Sequence, residues 1–289
     1  MSELISNKFK KWEQTCNERF DRLRENEEEL NRYFIALYGI GEEISQEVDE
    51  HDVTVRKADL QREIKSLLSY AVGCLFGRYS LDTEGLCFAG GKWDASLYST
   101  VIPCSDNILE LNSMDSGLAA DLKKFIVTVY GPDTLEENLR FIAGALDGAG
   151  SPEEVIFRYI QKGFFADHTR IYKKRPIYWQ FSSGSKGAFK ALMYIHRYDS
   201  DQLAVLERDY AVPRNEQLKK ELRQLNKSYS ISSGKERTAL RRSISRHQAL
   251  LLEMEGFLHR LHELAEQRIE LDLDDGVKVN YEKLRDILE

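Results

Sequence analysis

The sequence predicts a mainly helical α+β protein, in which a compact body with short strands carries a long antiparallel coiled-coil hairpin. Apolar residues recur every three or four positions through most of the chain, as they do on the buried face of a helix. One short segment, residues 177–181, is instead β-branched and aromatic and predicts a strand. Residues 240–265 carry a heptad pattern, which predicts the longer arm of the hairpin.

The size and composition of the chain are typical of a soluble protein with a large core. It has 289 residues, a net charge of -7, 42% hydrophobic residues and 31% charged residues. The N-terminal residues 1–24 lack the apolar core of a signal peptide, and the longest nearly apolar run, residues 67–77, is too short to span a membrane. The four cysteines show neither C-x-x-C pairing nor metal-ligand spacing. We therefore expect a cytoplasmic protein with reduced cysteines and no membrane partner.

Four segments follow one another along the chain. They are an N-terminal helical segment over 1–60, an α+β body over 61–200, an antiparallel helical hairpin over 201–268 and a C-terminal tail over 269–289. In the first segment, apolar residues recur at helical spacing on both sides of an acidic patch at 25–29. Gly39 and Gly41 are suited to end the second of these helical stretches, because glycine adopts the left-handed conformation of a helix C-cap.

The body begins with the most apolar helix of the chain, predicted over about 60–77. Its apolar face is broad enough to indicate a central, buried position. Residues 84–117 are rich in glycine and serine and predict irregular structure with short strands. Helices are then predicted over 118–130 and 134–145, and another begins at Ser151, which precedes a proline suited to the first turn.

The hairpin is predicted from two apolar seams joined by a short Ser/Gly turn at 230–234. The first seam consists of Leu218, Leu222 and Leu225, and the second of Leu240, Ile244, His247, Leu251, Met254, Leu258, Leu261 and Ala265. From residue 214 to 247 there are ten Lys and Arg but only three Glu. This bias is larger than a solvated coiled-coil surface of mixed sign requires.

The tail begins with Ile269, Leu271 and Leu273 alternating with acidic residues, which predicts a strand. The following Asp274, Asp275 and Gly276 resemble part of a calcium loop, but the third acidic position and the closing Glu are missing. We therefore predict no metal site.

The stretch from residue 168 to 198 stands out because it holds seven Lys and Arg, seven aromatic residues and no Asp or Glu. Cations neutralise phosphates, and aromatic planes stack on bases, so this composition favours a nucleic-acid surface. An ordinary strand and helix, with core aromatics and a solvated basic face, would have the same composition. Composition leaves both interpretations open.

The local pattern within this stretch predicts a strand, a turn and a helix. Pro176 ends any preceding helix, residues 177–181 form the strand, 182–185 the turn and 186–198 the helix. The start of a helix offers free backbone N–H groups to an anion. The candidate nucleic-acid-binding residues are Lys173, Lys174, Arg175, Tyr178, Ser183, Gly184, Lys186 and Lys190.

No catalytic residue can be nominated. The chain has no G-x-S-x-G, H-E-x-x-H or G-x-G-x-x-G motif, and its six histidines are scattered or lie on helix faces. We therefore predict no cofactor on this chain, and an enzyme with an unrecognised site is the weakest of three interpretations.

Four stretches in order resemble the C-terminal portion of BREX phage-defence adenine-specific DNA methyltransferases of the PglX type. They are NEEELNRYFIALYGIGEEISQEV (26–48), LLSYAVGCLFGRYSLDTEGLCFAGG (67–91), YKKRPIYWQFSSGSKGAFKALMYIHRY (172–198) and LHELAEQRIELDLDDGVKVNYEKL (261–284). The resemblance implies a full-length family protein that uses S-adenosylmethionine, with its catalytic motifs upstream of the matched portion. It does not imply that this chain transfers a methyl group.

Two main functions therefore compete. The first is a module that binds double-stranded DNA, for target recognition or scaffolding, through the basic stretch and the hairpin tip. The second is a protein-interaction module whose hairpin docks the methyltransferase catalytic domain or another defence-system subunit, without direct DNA contact.

Overall fold

The computed structural model describes residues 3–289 and confirms the mainly helical α+β fold. The helices are α1 (Ile5–Tyr38), α2 (Leu60–Leu75), α3 (Gly117–Tyr130), α4 (Leu135–Ala145), α5 (Pro152–Lys162), α6 (Phe164–Ile171), α7 (Gln202–Val205), α8 (Val212–Ile231), α9 (Gly234–Glu266) and α10 (Val277–Leu284). The strands are β1 (Ile108–Glu110), β2 (Tyr178–Ser182) and β3 (Lys190–Tyr194). No helix within residues 3–289 is both long and apolar enough to cross a membrane.

The chain divides into two compact units, whose boundaries fall within α2, within α3 and after the first residue of α5. The first unit comprises the chain up to Leu68 together with Ile126–Pro152. Here α1 packs on α4, and the buried side chain of Asn138 accepts a hydrogen bond from the Ile5 N–H at 2.8 Å. The helix α1 runs without a break through the acidic patch. Gly39 ends it in the left-handed conformation, as the sequence predicts.

The second unit, Ser69–Phe125 and Glu153–Glu289, contains the sheet. Its strand order is β1-β3-β2, with β3 antiparallel to both neighbours. Strand β3 therefore occupies the centre, and Trp179, Phe181 and Phe189 are almost completely buried. The ring of Phe189 lies 5.4 Å from that of Phe257 on α9, which places the hairpin base in the same apolar core.

The helix predicted over 186–198 is wrong, because these residues form the turn after β2, then β3, then a short 3-10 turn at Ile195–Arg197. The apolar run from Ala191 to Tyr194 is buried on both faces of the central strand. A continuous apolar run of this length satisfies helical spacing as well as strand burial, so the sequence pattern did not separate the two structures.

The strand predicted over 269–273 is also wrong. This segment leads into a 3-10 turn at Leu273–Asp275 and then into α10. The position beside β2 is taken by the end of the tail instead, where Phe181 pairs with Leu288 and the Glu289 N–H donates to the Gln180 carbonyl at 3.0 Å. The free edge of β2 is thus covered by the end of the tail.

Helices α8 and α9 form the predicted pair of long arms, linked only by Ser232 and Ser233, so they must run antiparallel. The two arms are buried to different depths along their length. Leu218 and Met254, toward the base, are completely buried. Leu240 and Ile244, toward the tip, are only half-buried, because each arm is covered there by the other arm alone.

Candidate nucleic-acid interface

Strand β2 divides the basic stretch into two turns. We call residues 172–176, which precede β2, the entry turn, and residues 183–189, which connect β2 to β3, the exit turn. Both turns carry basic side chains. A histidine binds the backbone N–H groups that follow the entry turn, and a carboxylate binds those within the exit turn.

The entry turn places three consecutive cations in solvent. Lys173 and Lys174 adopt left-handed backbone conformations, with φ of 51° and 64°. The Arg175 N–H donates to the Tyr172 carbonyl at 2.9 Å, which closes the turn. Lys173, Lys174 and Arg175 are all exposed, and within residues 3–289 none of them forms an ion pair. The turn therefore carries a charge of about +3 that the described part of the chain does not neutralise.

A neutral histidine holds the entry turn against β2. The Nε2 of His168, on α6, accepts hydrogen bonds from the N–H groups of Ile177 and Tyr178, both at 3.1 Å. His168 is 3% exposed, and burial together with the nearby Arg78 guanidinium lowers its pKa to about 4. The imidazole is therefore uncharged at neutral pH, and it adds nothing to the charge of the entry turn.

An open groove of about 950 Å³ adjoins the entry turn. Its apolar lining comes from Phe165, Pro176, Leu273, Val277 and Tyr281. Besides the three cations of the entry turn, the exposed Lys278 lines it, and the two acidic residues present are Asp275 and Glu289. The groove thus combines a basic rim with an aromatic and aliphatic surface. Lys278 and Tyr281 come from the tail, outside the basic stretch that the sequence pattern marks.

The exit turn already holds an anion. The Glu253 carboxylate, on α9, accepts hydrogen bonds from the Ser183 hydroxyl at 2.8 Å, the Lys186 N–H at 2.7 Å and the Ala188 N–H at 3.1 Å. The turn therefore has the anion-binding N–H groups that the sequence predicts. These groups belong to a strand-to-strand turn instead of a helix start, and a carboxylate of the same chain occupies them.

Lys190 is also paired within the chain. Its Nζ lies 2.7 Å from the Glu289 carboxylate, which accepts a further hydrogen bond from the Gln180 amide at 2.8 Å. Burial by itself would raise the pKa of Glu289, but the bonds from Lys190, Ser182 and Gln180 outweigh it and lower that pKa. The charge of Lys190 is thus largely neutralised inside the fold.

Two other candidate residues are part of the core. Tyr178 is buried, and its ring stacks on Phe76 at 5.1 Å and on His168 at 4.6 Å. Ser183 is buried as well, and its hydroxyl accepts from the Phe189 N–H at 2.9 Å. Of the eight candidate residues, the exposed ones are therefore Lys173, Lys174, Arg175, Gly184 and Lys186.

The two residues that anchor the turns carry no signal in the sequence pattern. His168 stands at the start of the basic stretch without a motif around it, and Glu253 is separated from Lys186 by 67 positions. No local pattern marks a side chain whose partner is that distant along the chain. The predicted helix over residues 240–265 indicates only that Glu253 lies on an arm of the hairpin.

Two curated proteins are similar to this chain. The adenine-specific methyltransferase PglX of Lacticaseibacillus casei (strain Zhang) is 44% identical over 283 residues, which cover 95% of this chain and 24% of the relative. The adenine-specific methyltransferase BrxX of Escherichia coli O9:H4 (strain HS) is 40% identical over 242 residues, covering 78% of this chain and 20% of the relative. No family model matches the chain.

The resemblance identified from the sequence is thus confirmed, and the chain matches a C-terminal portion of BREX adenine-specific methyltransferases. It spans about a quarter of the length of PglX and about a fifth of that of BrxX. Dinucleotides and related cofactors commonly bind at the carboxyl ends of a parallel sheet beside a glycine-rich turn. The sheet within residues 3–289 is antiparallel and three-stranded. That this chain holds no cofactor stays a prediction from its sequence.

Proposed function

We propose that this chain, the counterpart of a C-terminal portion of adenine-specific methyltransferases, is the DNA-contacting module of such an enzyme. It binds the phosphates of double-stranded DNA through Lys173, Lys174 and Arg175, and so holds the duplex for a catalytic domain on another part of the methyltransferase. The observation that carries this proposal is the exposed, unpaired charge of the entry turn.

The charge of the rest of the chain strengthens this argument. The protein as a whole is acidic, at -7, so its average surface repels a polyanion. Binding must therefore rely on a local basic surface. Contacts to phosphates release condensed counterions, and they position a duplex without reading its sequence. The groove beside the entry turn adds Lys278 to the cations and Tyr281 as an aromatic surface next to them.

The test is the salt dependence of DNA binding by the 289-residue chain, followed by fluorescence anisotropy of a labelled duplex. The variant combines Lys173→Asn, Lys174→Asn and Arg175→Gln, because asparagine tolerates the two left-handed positions. Each phosphate contact contributes about 0.9 to the slope of log K against log salt. We therefore expect the slope to fall by about 2 to 3 and binding to weaken similarly for every duplex sequence.

A matched control removes the same charge elsewhere. Lys10, Lys11 and Arg22 are exposed on α1, and changing all three to Gln should leave the slope within about 0.5 of the parent value. Equal losses in the two variants would show that only net charge matters. A parent chain that does not bind the duplex at low salt would overturn the proposal.

A second candidate function is protein interaction, and exposed apolar side chains favour it. Five of them lie at helical spacing near the end of α1, namely Leu30, Tyr33, Phe34, Leu37 and Tyr38. At the hairpin tip, Ile231 is 85% exposed. Contiguous exposed apolar surface is typical of interfaces. If the parent does not bind DNA but co-purifies with the remainder of the methyltransferase, and Leu37→Lys abolishes this association, the interaction function replaces the first.

A further inference from the structure

The distal half of α9 carries a line of unpaired cations. Among residues 234–252 there are five Lys and Arg and a single acidic residue, Glu236. Three of the cations, Lys235, Arg242 and Arg246, are exposed, and within the described chain they form no ion pair or side-chain hydrogen bond. Uncompensated charge in a protein of net charge -7 calls for a partner of opposite sign.

The helical repeat aligns these three cations. An α-helix turns by about 100° per residue, so residues separated by four, seven and eleven positions lie within about 40° of one another around the axis. Lys235, Arg242 and Arg246 have these separations and form one row, which we call the α9 ridge. At about 1.5 Å per residue the ridge is about 16 Å long.

The ridge faces away from the other arm of the hairpin. The seam residues Leu240 and Ile244 are about 140° to 180° from Lys235 around the helix axis, and they are half-buried against α8. The ridge is also aligned with Glu253, which lies seven positions beyond Arg246 on the same face. Glu253 receives the exit turn, so the exposed Lys186 continues the row at the base of the hairpin.

We propose that the α9 ridge is a second DNA-contacting surface, which binds the phosphate backbone of the same duplex. The proposal rests on the DNA-binding function proposed above and identifies a further element that performs it. A B-form duplex carries one phosphate per about 3.4 Å of axis on each strand, so a row of about 16 Å meets several phosphates. The ridge carries cations and no carboxylate, because Glu236 is about 100° from Lys235 around the helix axis. A peptide or protein partner would need apolar anchors, which this face lacks.

The outer face of α8 provides a matched control. Lys220, Arg223 and Lys227 are exposed, free of ion pairs in the described chain, and aligned at separations of three and seven positions. They lie on the opposite side of the hairpin from the ridge, since each arm turns its outer face away from the other. Removing them changes the net charge by the same amount, at a similar position along the hairpin.

The experiment compares two triple variants of the 289-residue chain with the parent, on one labelled duplex across a series of salt concentrations. We expect Lys235→Ala, Arg242→Ala and Arg246→Ala together to lower the slope of log K against log salt by about 2 to 3. The α8 triple variant, Lys220→Ala, Arg223→Ala and Lys227→Ala, should change the slope by less than about 0.5. Circular dichroism is used to check that both variants keep their helices, which we expect because alanine is favourable at exposed helical positions.

The outcomes separate the two proposals. A parent chain that binds DNA, with a ridge variant that keeps the parent slope, overturns the ridge proposal and leaves the entry turn as the contact. Equal losses in the ridge and α8 variants also overturn it, because the hairpin would then act only through its overall charge. A parent that does not bind DNA overturns the proposed function and the ridge together.

Discussion

The turns at the two ends of β2 both carry basic residues and differ in what remains available to an external anion. Directly after the entry turn, a neutral imidazole binds the N–H groups of Ile177 and Tyr178, and the charges of Lys173, Lys174 and Arg175 remain uncompensated. At the exit turn, the Glu253 carboxylate binds the backbone N–H groups of Lys186 and Ala188.

Whether a basic turn can bind an external anion therefore depends on the side chain that holds its backbone as much as on its own residues. Free N–H groups in a turn attract any anion, including one from the same chain. An internal carboxylate has the advantage of a very high local concentration, so a phosphate must displace it before it can bind. The entry turn has no such competitor within the described residues, which is why it is the better candidate for DNA.

The largest expected effect comes from removing the anchor of the exit turn. Glu253→Ala removes three charge-assisted hydrogen bonds, each contributing about 1.5 kcal/mol or more, so we expect the free energy of unfolding in urea to fall by about 4 kcal/mol. Glu255→Ala, an exposed change two positions away on α9, is the control and should alter stability by less than about 0.5 kcal/mol. Equal stability of the two variants would contradict the anchoring role.

The anchor of the entry turn makes stability depend on pH. The pKa of His168 is lowered from 6.5 to about 4, so below about pH 6.5 the unfolded chain binds the proton more readily than the folded chain does. The stabilisation is therefore complete above about pH 6.5 and is lost as the pH falls toward 4. A shift of this size corresponds to about 3 kcal/mol.

This prediction is checked by urea unfolding of the parent and of His168→Gln at several pH values between 4 and 7. The difference between the two proteins isolates His168 from other titrating groups, including His196, whose pKa burial also lowers. We expect the difference to shrink as the pH falls. A difference that stays constant across this range would mean that His168 does not titrate in the folded protein as described.

The smallest effects separate the two lysines that follow β2. Lys190 is paired with Glu289, so Lys190→Ala should cost at most about 1 kcal/mol of stability and leave the salt slope of DNA binding unchanged. Lys186 is exposed beside the α9 ridge, and Lys186→Ala should lower that slope by about 0.9 if it reaches a phosphate. The reverse order of effects would show that the Lys190 pair opens when DNA binds.

Much of the fold could be predicted from local patterns, because those patterns have local causes. The strand expected over 177–181 is found at Tyr178–Ser182, and the turn expected over 230–234 lies between α8 and α9. The mistaken helix over 186–198 had a different origin. Its apolar residues fit the spacing of a buried helix as well as that of a buried strand. The strand forms because β3 pairs with β1 on one side and β2 on the other. One of those neighbours, β1, lies some 80 residues earlier in the chain.

The candidate site was predictable in composition but not in exposure. The basic stretch contains the cations that the fold presents, yet the same stretch contains Tyr178 and Ser183, which are buried. Burial of a polar side chain depends on partners such as Phe76 and Glu253, which are distant in sequence. The basic bias of the hairpin was visible, but its separation into two opposite faces required the assigned helices.

The bond between Glu253 and the exit turn also sets the rotational phase of α9. Because Glu253 is fixed to the sheet, each residue inserted between it and Arg246 would turn the distal half of the helix by about 100° and swing the ridge out of line. Insertions or deletions of seven residues, matched in both arms, would return the row to nearly the same direction and change its reach by about 10 Å. Hairpins of different length on this body are therefore compatible with the same ridge direction when the difference is close to a whole number of helical turns, as it is for seven or eleven residues.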